Sequence, residues 1–295
     1  LNSSQSSTPS LHLLPEYTAA LTKEHSPDTA GELPSKVLRA LFSLSEHKES
    51  HEVRMALVRD GAIAPHLLAA NDDDQTTKSA GALVPTLLTF LQRCPKDSSE
   101  QYLTLLVLNN LSIPMENKRL VGLECGAVNV LGRMLLEDVG CHLLVIVIVN
   151  LTFCDASVRR SLLLGESGGT TDDGEVQLVD CLAYALMLSS ITTEQLSTLG
   201  PIPLHSPDGT RHTPHELLSI LRSTLSTNFP NVIHNNGNDD QDHIISPLLL
   251  LSDNENCPFP ETARWCLCAL KNLTRPGKWN SSSGSSDGGS SGSSS

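Results

Sequence analysis

Aromatic residues make up only 3% of this 295-residue chain: five Phe, three Tyr and two Trp. A β-sandwich or barrel packs its pleated faces with aromatic and β-branched side chains, so this scarcity argues against an all-β domain. Basic residues are few as well, 20 Lys and Arg against 33 Asp and Glu, for a formal net charge of -13. Proteins that grip a phosphate backbone carry a basic excess, which argues against nucleic acid as the main partner. Long apolar runs are missing too. The longest, residues 143–149 with their flanks, falls short of the ~20 residues a membrane-spanning helix needs, so no membrane insertion is expected. The eight Cys lie mostly inside apolar stretches rather than in turns, the pattern of reduced, buried thiols in the cytosol or nucleus.

Leucine is what the chain has in abundance: fifty, about one residue in six, within an apolar fraction of 39% that suffices for a sizeable core. With ~150 residues per ordinary domain, the length allows two domains or one extended array. Residues 1–32 read as a flexible Ser-rich segment and 280–295 as a disordered Ser/Gly tail, since neither composition can bury enough apolar surface to offset chain entropy. Between them, polar turn-forming insertions are expected near 71–78, 165–174 and 228–242.

Self-similarity organises the region 33–279. Leu106-Val-Leu-Asn-Asn-Leu-Ser112 is echoed by Ile146-Val-Ile-Val-Asn-Leu-Thr152, which puts Asn110 and Asn150 40 residues apart. Cys268-Ala-Leu-Lys-Asn-Leu-Thr274 is a third copy, and 272 - 150 = 122 reads as three further steps of about 41. Leu186-Met-Leu-Ser-Ser-Ile-Thr192 fits as a weaker copy one step after the second, with Ser190 in the Asn position, and Ser43-Leu-Ser45 as a degenerate first one. A second motif recurs in the same order: residues 52–63 align without a gap on 117–128, both containing Gly-Ala, which appears again at Gly81-Ala82. A fixed period of 20 to 50 residues is the signature of a stacked repeat architecture.

These residues resemble the armadillo repeat family, whose unit has a short helix, a turn at Gly-Ala, a second helix and a long third helix ending in Asn-Leu-Ser or Asn-Leu-Thr. The resemblance spans roughly residues 33–274 and is best in 101–153 and 261–274. It implies an all-α, right-handed superhelical solenoid whose third helices line a concave groove. Within that groove an Asn at the position of Asn110, Asn150 and Asn272 holds the main chain of an extended peptide. Leu106, Ile146 and Trp265 are the expected apolar lining. The function so implied is a non-catalytic scaffold or adaptor that binds an extended segment of another protein, in the cytoplasm or nucleus, with no cofactor. Importin-α, within the same family, places a Trp four residues before each Asn. Here those positions are Leu106, Ile146 and Cys268, so recognition of a basic import signal in that manner is not expected.

Periodicity favours helices on its own account. Leu103, Leu106 and Asn110 share a helical face, as do Glu261, Trp265, Cys268 and Asn272. The Val- and Ile-rich run 143–149 has strand propensity, but its place in the 40-residue register predicts a helix buried on several sides. Gly126 suits a turn between helices that needs positive φ.

Motifs for other chemistries are incomplete. Gly165-Glu-Ser-Gly-Gly169 matches the G-x-S-x-G elbow of serine hydrolases, with Ser167 as nucleophile and Asp208 and His243 following in order; an elbow needs a strand before it and a helix directly after it. His212, His215 and Glu216, or Cys266 and Cys268, lack a recognised zinc spacing. Asp72, Asp73 and Asp74, and Asp239 with Asp240, do not continue into a calcium loop. A purely structural segment of a larger protein is the third alternative.

Overall fold

The computed structural model describes residues 14–22, 32–46, 51–59, 83–164, 177–228 and 257–275. All regular elements among them are helical, apart from one isolated bridge between His205 and Arg211. The helices are α1 (Leu14–Thr22), α2 (Glu32–Glu46), α3 (His51–Arg59), α4 (Leu83–Arg93), α5 (Ser99–Leu111) and α6 (Met115–Arg119). This last runs directly into a π-helical turn, Leu120–Glu124. Then come α7 (Ala127–Glu137), α8 (His142–Thr152), α9 (Ala156–Leu164), α10 (Leu178–Ser189), α11 (Thr193–Leu199), α12 (Pro214–Asn228) and α13 (Pro260–Thr274).

Local chemistry sets many of these boundaries. Ser98 caps α5 by accepting from the Gln101 N–H at 3.1 Å, and the Gln101 side chain accepts from the Asp97 N–H. Thr192 and Gln195 form a fully reciprocal capping box at α11, and Thr213 and Glu216 at α12. Gly126 enters α7 at φ 70°, as its place between two helices predicts. Pro260 opens α13, where a missing N–H costs nothing.

Packing sorts the helices into three ranks. α2 packs on α5, α5 on α8 and α8 on α13. A second succession runs α1, α4, α7, α10, α12, each against the next. Shorter helices form the third: α3 against α6, and the π-helical turn against α9. Across ranks, α1 pairs with α2, α4 with α5, α7 with α8 and α10 with α13. One contiguous core follows, with Leu38, Leu41, Leu87, Leu105, Leu108, Leu131, Leu144 and Ile148 fully buried. Because α5, α7 and α13 all press on α8, its run 143–149 is apolar nearly all round, and helix prevails over strand propensity there.

Three expectations are corrected. Residues 14–22, placed by composition in a flexible segment, form α1, which buries Thr18 and Leu21 and packs on α2 and α4. The weaker copy 186–192 is not a third helix: it ends α10, in the rank of α4 and α7, and Ser190 is that helix's C-cap. α13 lies directly against α8, so Asn272 comes from the next position in its rank after Asn150 rather than three steps on. The polar insertions expected near 71–78, 165–174 and 228–242 lie outside the described residues apart from Asn228, the last residue of α12.

Candidate functional site

The register of the α2, α5, α8, α13 rank can be fixed by repeated hydrogen bonds. Ser45, Ser112 and Thr152 each donate a hydroxyl to the carbonyl three residues back, at Phe42, Asn109 and Val149, and Thr274 reaches Leu270 and Lys271 in the same way. These four hydroxyls are therefore equivalent, and counting from them places Ser43, Asn110, Asn150 and Asn272 at one position of the helix. The three Asn are brought together on adjoining helices, and each is half-buried.

Every one of them reaches back to the preceding helix. Asn110 Nδ2 donates to Ser45 Oγ at 3.1 Å, Asn150 Nδ2 to Asn109 Oδ1 at 2.6 Å, and Asn272 Nδ2 to Val149 O at 3.3 Å and Thr152 Oγ1 at 3.4 Å. Among the described residues no donor reaches the Oδ1 of Asn110, Asn150 or Asn272. The amide nitrogen thus ties the helices together, and one acceptor oxygen per Asn is left over.

Beside this row, Leu106 and Ile146 are half-buried yet stand outside the contiguous core, whereas Leu103 and Leu143 pack against it. Trp265 takes the register position of Leu103 and Leu143, seven residues before its Asn, and also packs on the core; the counterpart of Leu106 and Ile146 in α13 is Cys268. The Arg264 guanidinium lies 5.8 Å from the Trp265 ring. Tyr102, one position from Leu103, is 54% exposed.

A second set of polar contacts escaped the sequence reading. Arg54 on α3 donates to Ser45 O and Glu46 O at the end of α2. Lys118 on α6 donates to Ser112 O at the end of α5 and to Asn150 O near the end of α8. Arg159 on α9 donates to Cys154 O, just past α8, and to Arg275 O at the end of α13. Each of α3, α6 and α9 therefore sends one cation onto carbonyls at or just past a helix C-terminus. Lys118 is only 3% exposed, with the Phe153 ring 5.9 Å from its Nζ, and burial pulls its pKa below the usual lysine value. The signal that could have found this set, a basic residue shortly after each Ser or Thr of the repeat, is irregular. Arg54 lies seven residues before Gly61 but Lys118 eight before Gly126, and the π-helical turn takes up the extra residue.

The other candidates fare as follows. Ser167 and His243 lie outside the described residues, while the residues directly before Gly165 form α9, where an elbow needs a strand. The Asp208 carboxylate is exposed and is held below the usual range by the Thr210 N–H. Glu216 is occupied in capping α12, and no group of three His, Cys, Asp or Glu among the described residues is placed to hold a metal. Burial pushes the Cys266 thiol up to about 12 and Cys154 to about 11, the opposite of an activated nucleophile. No helix among the described residues is long and apolar enough to cross a membrane. No protein-family model, curated protein or solved structure matches the chain.

Proposed function

We propose that this chain is an armadillo-like, right-handed solenoid that binds an extended segment of a partner protein along the α2, α5, α8, α13 face. In this reading it acts as a non-catalytic scaffold or adaptor in the cytoplasm or nucleus. The observation that carries the reading is the set of Asn residues at one register position whose amide nitrogens are engaged by the preceding helix while no donor among the described residues reaches their Oδ1 atoms. A fixed acceptor of this kind suits the N–H of a peptide main chain, which every sequence offers except at proline.

Spacing supports the same reading. Packed helices stand ~8–10 Å apart, and an extended chain advances ~3.3 Å per residue. One Asn per helix therefore meets the main chain about every third residue. The oxygen alone serves this contact, a narrower role than the donor-and-acceptor one that a carboxamide offers in principle.

The test separates binding from stability. Asn110→Ala and Asn150→Ala should each weaken a bound segment, and the double variant more than either single one. A large fall in melting temperature with unaltered binding per folded molecule would make these Asn structural ties only. The hydrolase alternative is tested by a fluorophosphonate probe: labelling of the wild type and not of Ser167→Ala would establish it against this proposal.

A further inference from the structure

The register set by the repeated hydroxyl bonds shows how charge is distributed along this face, and the distribution is uneven. In α5 the face positions are Tyr102, Leu103, Leu106, Asn109 and Asn110, and in α8 they are His142, Leu143, Ile146, Val149 and Asn150. Neither set contains a Lys, Arg, Asp or Glu. In α2 the positions of Leu103 and Leu106 are taken by Lys36 and Arg39, both exposed. In α13 the positions of Tyr102 and Asn109 are taken by Arg264 and Lys271, again both exposed. Two cations at each end of an uncharged centre stand out in a chain whose net charge is -13.

Nearby carboxylates modify this pattern. Glu100, which accepts a hydrogen bond from Ser35, also faces Arg39, and Lys36 is engaged within the chain, so both cations of the α2 end have partners. Glu261 is exposed one turn before Arg264 and Trp265. Among the described residues the α13 end therefore keeps two exposed cations against one carboxylate, together with the extra apolar surface of Trp265 and the Arg264 guanidinium over its ring.

Resting on the peptide-binding reading above, we propose that the bound segment is aliphatic in its middle and acidic at the end that meets α13. From α2 to α13 the rank makes three inter-helix steps, ~24–30 Å in all, which an extended chain crosses in ~8 residues. The centre sits over Leu106 and Ile146, which are half-buried and stand outside the contiguous core. A terminal carboxylate meets Arg264 and Lys271. A basic segment is disfavoured at that end by like charge.

Three synthetic ten-residue peptides test this, each with a centre of alternating leucine and serine and with two glutamates, two glutamines or two lysines at either end. Binding to the full chain is read by fluorescence anisotropy at low salt. The glutamate peptide should bind about fivefold or more tighter than the glutamine peptide, the lysine peptide weakest of the three, and the spread should shrink as salt is raised. The double change Arg264→Glu with Lys271→Glu should remove most of the glutamate preference, and Leu106→Ala should weaken all three peptides alike. Equal binding of the three peptides, still weakened by Leu106→Ala, would overturn the charge inference and leave the face as a binding site. Tightest binding of the lysine peptide would also overturn it. Binding of none, or binding indifferent to Leu106→Ala, would overturn the face as well.

Discussion

Asn272 donates its side-chain amide to the main-chain carbonyl of Val149 across 3.3 Å, although 123 residues separate them in sequence. The bond joins α13 to α8 in the way that Asn110 and Ser45 join α5 to α2. Asn272→Ala deletes a contact of ~0.5–1.5 kcal/mol. Asn272→Asp sets a carboxylate against that carbonyl and should cost more. Melting temperatures should fall in the order wild type, Ala, Asp, and an Asp variant as stable as wild type would show that the amide is not engaged.

Lys118→Met keeps side-chain bulk and removes a desolvated charge, but it strips the carbonyls of Ser112 and Asn150 of their donor. Two buried acceptors left at helix ends outweigh the relief of desolvation, and a loss of ~1–3 kcal/mol is expected. Urea unfolding checks this through a lowered midpoint at unchanged slope. The pH dependence adds a sign. Burial lowers the folded-state pKa of Lys118 from 10.5, so the unfolded chain holds this proton more tightly. Its contribution therefore rises as pH climbs from the lowered value towards 10.5. The stability difference between wild type and Lys118→Met should widen over that interval; a constant difference would mean that Lys118 is solvated.

The acid side of the stability curve rests in part on Glu100. The Ser35 hydroxyl, donated from α2 to this carboxylate on α5, holds its pKa below the ordinary 4.5. A depressed carboxylate contributes stability that is fully present above 4.5 and lost as pH falls through the folded value. Ser35→Ala should therefore lower the melting temperature at pH 6 and much less at pH 3. Equal effects at both would show that Ser35 acts by packing alone.

Leu106 and Leu108 are two residues apart with opposite expected roles. Leu108 is fully buried, so Leu108→Ala should cost ~2–5 kcal/mol through lost transfer energy and an unfilled cavity. Leu106 is half-buried and outside the core, and Leu106→Ala should leave the unfolding midpoint nearly unchanged. Chemical denaturation of both variants decides, and a large loss from Leu106→Ala would return that side chain to the core.

Much of this was legible from the chain because the repeated segments face repeated surroundings. Asn110, Asn150 and Asn272 stand out as polar residues in apolar helices, and residues 143–149 were correctly read as helix because the 40-residue period outweighed their strand propensity. The same reliance on the period misplaced residues 186–192. Leu186, Leu188 and Ile191 are buried just as a third helix requires, although they end a helix of the other rank, since the two ranks share one core. Spacing alone could not reveal that α11 and α12 are inserted between the two long helices of one pair. The cations Arg54, Lys118 and Arg159 were missed for a different reason. Each is anchored by carbonyls, which all residues possess, so its partners leave no mark on the sequence.

The placement of α13 also bears on how the chain assembles. Its pairing with α10 closes a loop of roughly seventy residues, at an entropic cost of about 4 kcal/mol. During synthesis α8 must wait, its apolar flank uncovered, until α13 has emerged. The same topology makes α13 a natural detachable piece. Cleaved between α12 and α13, the protein should behave as two fragments that recombine in trans, with Thr262 finding the Val139 carbonyl again and Asn272 that of Val149.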